Sequence, residues 1–168
     1  MGSVTDLATN VAAIAAAVAD PQRGKPVFRA EGTGGPGVRS EIRIGGHTLL
    51  ADEGPALGGT HAGPNPVEYA LAALLSCQVV TYRVWAAKLN VALEGITVDV
   101  EGDLDVRGFL GFDDAVRPGF GDVRLRVTLD GPADPQRYRE LAAAVDAHCP
   151  VLDLFRNRTP VTTELVIG

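Results

Sequence analysis

The stretch from Pro66 to about Leu89 constrains this chain more than any other. Asn65 is a favourable N-cap, Pro66 stands at the first helical position and Glu68 at the third. That is a capping box with Asn in place of Ser or Thr. The body that follows, from Ala70 through Leu74, Leu75, Val79 and Val80, is apolar nearly all round. A helix without a polar face is buried on most sides. In a chain of 168 residues that points to a larger assembly such as a dimer.

The remaining elements follow from punctuation and periodicity. Residues Val4 to Ala19 read as an Ala-rich helix, ended by Asp20-Pro21. Residues 1–24 are set apart as an accessory helix and linker, and 25–168 as the main domain. Val27 to Glu31 and Val38 to Ile44 read as strands, and Gly45-Gly46 as a two-residue hairpin turn into a third, His47 to Ala51. Gly54 to Pro66 is a glycine- and proline-rich loop. After Gly95, one long strand or two with a bulge near Gly102 run to Val106. Arg107 to Gly119 reads as irregular. Val123, Leu125, Val127 and Leu129 alternate as a strand. Asp134-Pro135 opens a helix that runs to about His148, with a helical turn from Val151 to Arg156 and a closing strand from Val161 to Ile167. The order β-β-β-α-β-β-α-β after an extra helix is α+β with antiparallel sheet.

A formal net charge of -6 argues against general binding to nucleic acid or an anionic membrane. No segment is expected to span a bilayer. The apolar run Val11 to Ala19 lacks a basic flank, so it makes a poor signal peptide, and Asp6 breaks the myristoylation pattern. The expected location is the cytoplasm. The only cysteines are Cys77 and Cys149, 72 residues apart. In a reducing compartment they are not expected to form a static structural disulfide. They are either small buried hydrophobes or chemically used. Cys77 lies too far along its helix for the helix dipole to activate it, so activation would need a cation or polar pocket from elsewhere in the fold.

Two segments carry a resemblance. Gly58-Gly59-Thr60-His61-Ala62-Gly63-Pro64-Asn65-Pro66, followed by Glu68 and a small-residue helix reaching Ser76-Cys77, resembles the OsmC/Ohr family signature. His148-Cys149-Pro150-Val151 resembles that family's Cys-Pro segment at the end of its second long helix, and Leu154 and Thr159-Pro160-Val161-Thr162 are similar to its tail. The likeness covers roughly Val27 to Ile167, and two motifs at the right separation are more specific than either alone.

The resemblance implies an intertwined homodimer with the cysteine helices at its centre. It implies a peroxidatic Cys77, a resolving Cys149, an organic hydroperoxide as substrate and a dithiol reductant, lipoyl-linked in some members. It implies no metal or organic cofactor. In peroxidase members a glutamate ten residues before the cysteine holds an arginine over the thiolate. Here that place is Val67, and Glu68 comes one later. Nine residues of ideal helix turn about 900°, which sets Glu68 and Cys77 on opposite faces. Arg39, beside the loop 32–37, is the nearest candidate arginine; Arg29 and Arg43 are the others. His61 and Tyr69 are candidates for the substrate pocket. A metal site built from Cys77, Cys149, His61 and His148 would lack the closely spaced ligand pairs of zinc sites. Two further readings stay open: a binding protein for a small hydrophobic ligand, and a thiol redox sensor.

Overall fold

A computed structural model describes residues 4–168. The first three residues of the expected accessory segment lie outside them. The elements in order are α1 (Val4–Ala17), β1 (Ala30–Gly34), β2 (Ser40–Ile44), β3 (His47–Ala51), α2 (Pro66–Leu89), β4 (Gly95–Leu104), α3 (Val106–Phe109), β5 (Phe120–Asp130), α4 (Pro135–His148) and α5 (Pro150–Arg156). This is the expected α+β class with antiparallel sheet. The chain divides into two compact units. The first takes in residues up to Ala73 and Val100–Leu125, the second Leu74–Asp99 and Arg126–Gly168.

In the first unit β1, β2 and β3 form an antiparallel sheet, with Ala30 opposite Ile44 and Ser40 opposite Ala51. Gly45 and Gly46 both hold positive φ, 54° and 81°. That is the type I′ geometry whose twist suits a hairpin, and it explains why glycines stand there. β1 corrects the expected strand. It starts at Ala30 and runs through Gly32 and Gly34, leaving Val27 and Phe28 exposed outside the sheet. Hairpin register, set by pairing with β2, overrides the poor strand propensity of glycine here.

The loop after β3 is organised by Asp52, which is 2% exposed. Its carboxylate accepts from the Thr60 N–H at 2.9 Å, the Thr60 hydroxyl at 2.8 Å and the Ala62 N–H at 3.1 Å. The glycines of the loop permit the wrap: a Cβ at Gly59 would run into the Glu53 carbonyl, and one at Gly63 into that of Leu50. The Ala62 N–H first, then the Thr60 hydroxyl and N–H, hold the Asp52 carboxyl well below the usual carboxylate range. A lowered folded-state pKa gives stability that is fully present above about pH 4 and lost as pH falls through the folded value. Asp52→Asn is therefore expected to be destabilised at pH 7, with the gap to wild type shrinking below about pH 4. Urea denaturation at pH 7 and pH 3 checks this; a gap constant with pH would mean that the charge of Asp52 is not what holds the loop.

The helix α2 begins as expected: the Asn65 N–H donates to Glu68 Oε2 and the Glu68 N–H to Asn65 Oδ1, both at 2.8 Å. It ends in a Schellman motif. Asn90 adopts φ 51°, the Val91 N–H donates to the Ala86 carbonyl and the Asn90 N–H to that of Ala87. One expectation is corrected here: α2 has 24 residues and an 18-residue window of mean hydropathy 1.3, so by length and composition it is able to cross a membrane. In the structure 28% of that window is buried. Leu74, Gln78, Thr81, Tyr82 and Ala86 form its buried stripe, and the Arg83 guanidinium donates to the Leu93 and Glu94 carbonyls.

Most of the buried side chains lie in the second unit: Leu74, Tyr82, Ala86, Val91, Leu93, Val98, Leu141, Val145, Cys149 and Leu152. Asp134 caps α4 by accepting from the Gln136 N–H, with Pro135 at the first turn. The chains of α2 and α4 run antiparallel, since Arg137 at the start of α4 donates to the Leu89 carbonyl while Cys149 at its end meets Cys77. Two further expectations fail. Within the segment taken as irregular, the Asp105 carboxylate accepts from the Arg107 N–H and starts the short α3. The closing strand is not formed: residues 158–168 lie in no helix or strand, with Val161 and Ile167 each 85% exposed. Alternation supplied a face, but no described strand offers its backbone a ladder partner.

Candidate functional site: a two-thiol centre

Both cysteines are contributed by the second unit. Cys77 sits in the middle of α2 and Cys149 at the joint between α4 and α5. Cys149 has extended backbone angles there because Pro150 stops α4 and opens α5. The two sulfurs lie 3.5 Å apart, Cys149 donating, and both thiols are free. Closing to an S–S bond of about 2.05 Å needs an approach of about 1.5 Å. The environments differ: Cys77 is half-buried, whereas Cys149 is 2% exposed. A reagent arriving from solvent meets Cys77.

The electrostatics of Cys77 are contested. Burial pushes its thiol above the ordinary cysteine range, and the touching Cys149 adds to the push. The Val151 N–H and the Thr81 hydroxyl pull the other way. Next to Cys149, the His148 ring stacks on Trp85 with centroids 4.2 Å apart, and Lys88 Nζ stands 3.6 Å from the centre of the Trp85 ring. His148 Nδ1 lies 2.8 Å from the Ala144 carbonyl. A carbonyl only accepts, so Nδ1 carries a proton.

The other sequence candidates fall in the first unit. Arg39 lines a cleft of about 240 Å³ with Thr33, Glu41 and Arg43, and among the described residues its guanidinium makes no ion pair. Glu68 is engaged in the cap of α2. His61 is exposed at φ 58°, its N–H donating to the Glu53 carbonyl. The Tyr69 hydroxyl donates to the Leu50 carbonyl at 2.8 Å and so ties α2 to β3. Among the described residues no group of three His, Cys, Asp or Glu side chains comes together to hold a metal. The sequence reading passed over Gln78 and Thr81, which are buried beside Cys77. The available signal was the placing of Gln78 and Thr81 close after Cys77 in the middle of a largely apolar helix.

The second unit thus brings a mid-helix thiol against a helix-end thiol, a paired two-cysteine arrangement. Residues 59–164, more than half of the chain, match the model of the OsmC family, described as OsmC-like protein. The chain belongs to that family. Solved structures agree on the fold. An OsmC-like protein from Mycoplasma pneumoniae superposes with a TM-score of 0.67 at 14% identity, over 79% of this chain and 89% of that one. An organic hydroperoxide resistance protein OsmC from Legionella pneumophila gives 0.60 at 22% identity, over 78% and 90%. An organic hydroperoxide resistance protein from Elizabethkingia anophelis gives 0.61 at 17%, over 79% and 89%. No curated protein matches the sequence.

Proposed function

We propose that this protein is a thiol-dependent peroxidase that reduces organic hydroperoxides through Cys77 and Cys149. The observation that carries the reading is the pair of free sulfurs 3.5 Å apart with unequal exposure. Family membership and the hydroperoxide resistance proteins that share the fold support it. The Cys77 thiolate attacks the outer peroxide oxygen and breaks the O–O bond; the alkoxide takes a proton and leaves as alcohol, and Cys77 becomes a sulfenic acid. The Cys149 sulfur displaces the sulfenic oxygen as water and forms the disulfide. A dithiol reductant then restores both thiols by exchange and is itself oxidised to a disulfide.

The working assembly in this reading is a homodimer in the cytoplasm. Exposed apolar side chains support it, at Val80 on α2 and at Val161, Leu165, Val166 and Ile167 in the tail. A monomer rarely leaves so much apolar surface in water. A second reading, a binder of a small hydrophobic ligand without turnover, is favoured by one observation: burial pushes Cys77 away from the thiolate.

The test is stoichiometric. The reduced protein is treated with one equivalent of cumene hydroperoxide, and the Cys77 and Cys149 peptides are identified by mass spectrometry beside Cys77→Ser. The expected result is a rapid intramolecular disulfide in the wild type and none in the variant. Two thiols still free after minutes would overturn the peroxidase and leave the ligand binder.

A further inference from the structure

Among the described residues of the second unit, two polar side chains are buried, Gln78 at 2% exposure and Thr81 at 7%. Both stand beside Cys77 on α2, one and four residues on. Such groups are costly in an apolar core unless they are hydrogen-bonded. The Gln78 Nε2 has no hydrogen-bond partner. Thr81 is better placed. Its Oγ1 donates to the Cys77 carbonyl at 2.7 Å and lies 4.0 Å from the Cys77 sulfur.

A hydroxyl has one proton, and on the neutral thiol that proton serves the carbonyl. The carbonyl does not depend on it, because the Thr81 backbone N–H fills the same acceptor in the helix ladder. When Cys77 loses its proton to solvent, the sulfur becomes a charged acceptor and outcompetes a neutral carbonyl. Rotation about the Thr81 Cβ–Oγ1 bond turns the hydroxyl proton toward the sulfur, and the 4.0 Å separation shortens as the bond forms. We propose that Thr81 is the positioning residue for the Cys77 thiolate, its hydroxyl turning from the Cys77 carbonyl to the Cys77 sulfur as the thiol ionises. The inference rests on Cys77 being the reactive thiol of the proposed function.

The experiment follows the rate of Cys77 alkylation by iodoacetamide against pH, in a Cys149→Ser background so that one thiol reports. Thr81→Val is expected to move the midpoint upward and to slow alkylation near neutral pH by about tenfold or more, as loss of a hydrogen bond to a charged group should. Thr81→Ser is expected to restore the parent profile. Equal midpoints in the parent, valine and serine proteins would overturn the proposal. Thr81→Ala carries the same comparison should valine not fold: an upward midpoint supports the role, and an unchanged one overturns it. No peroxide enters the assay. A wild type inert to hydroperoxide whose Cys77 still answers to Thr81 would sink the peroxidase and keep this inference.

Discussion

Cys149→Ser is expected to consume one equivalent of hydroperoxide per chain and then stop. Cys77 remains, so the first attack and the release of alcohol proceed. The resolving sulfur is gone, and a serine hydroxyl is too weak a nucleophile to displace the sulfenic oxygen. With no thiol added, nothing reduces the sulfenic acid, and the intermediate persists on Cys77. Peroxide consumed per chain without added thiol measures the single equivalent, and trapping with a 1,3-diketone followed by mass spectrometry locates the sulfenic acid, which the wild type converts to a disulfide instead. Cys149 is 2% exposed, so the variant also buries a hydroxyl where a thiol was. A parallel melting curve separates that structural cost from the chemical one. A wild type that yields as much trappable sulfenic acid as the variant would reassign Cys149 to the core and leave Cys77 to act alone.

The largest expected effect on stability comes from Leu141→Ala. Leu141 and Val145 are 0% exposed and Cys149 2%, and they recur every fourth residue along α4 as the stripe that faces the core. Truncating such a leucine costs about 2–5 kcal/mol, from lost burial plus the cavity left behind. Against a typical domain stability of about 5–15 kcal/mol that is a large share. Urea denaturation should show a lower midpoint at unchanged slope. A loss below about 1 kcal/mol would mean that α4 does not pack through this stripe.

The parts of the fold legible in the sequence are those whose signals are local. Asn65, Pro66 and Glu68 announce α2 because the cap is built from residues three apart. Gly45 and Gly46 announce the hairpin because only that turn asks for two positive φ values in a row. Asp134 and Pro135 do the same for α4. The errors lie where a partner decides. β1 shifted because β2 chose its register, and the alternating tail after Arg158 formed no strand because alternation cannot supply a neighbour. The site divides in the same way. Cys77 and Cys149 could be singled out as residue types, and family resemblance paired them. Their 3.5 Å approach depends on the antiparallel run of α2 and α4, which no local pattern encodes. The polar company of Cys77 was in plain view as Gln78 and Thr81, yet their burial is a tertiary fact.

The two sulfurs come from one compact unit of one chain, on helices tied together by the Arg137 bond to the Leu89 carbonyl. Their encounter is accordingly a first-order event. Its rate does not fall with dilution, and the oxidation state of one chain carries no information about whether another is nearby. Dilution leaves the pairing of the two thiols within each chain unchanged, whatever it does to the proposed homodimer.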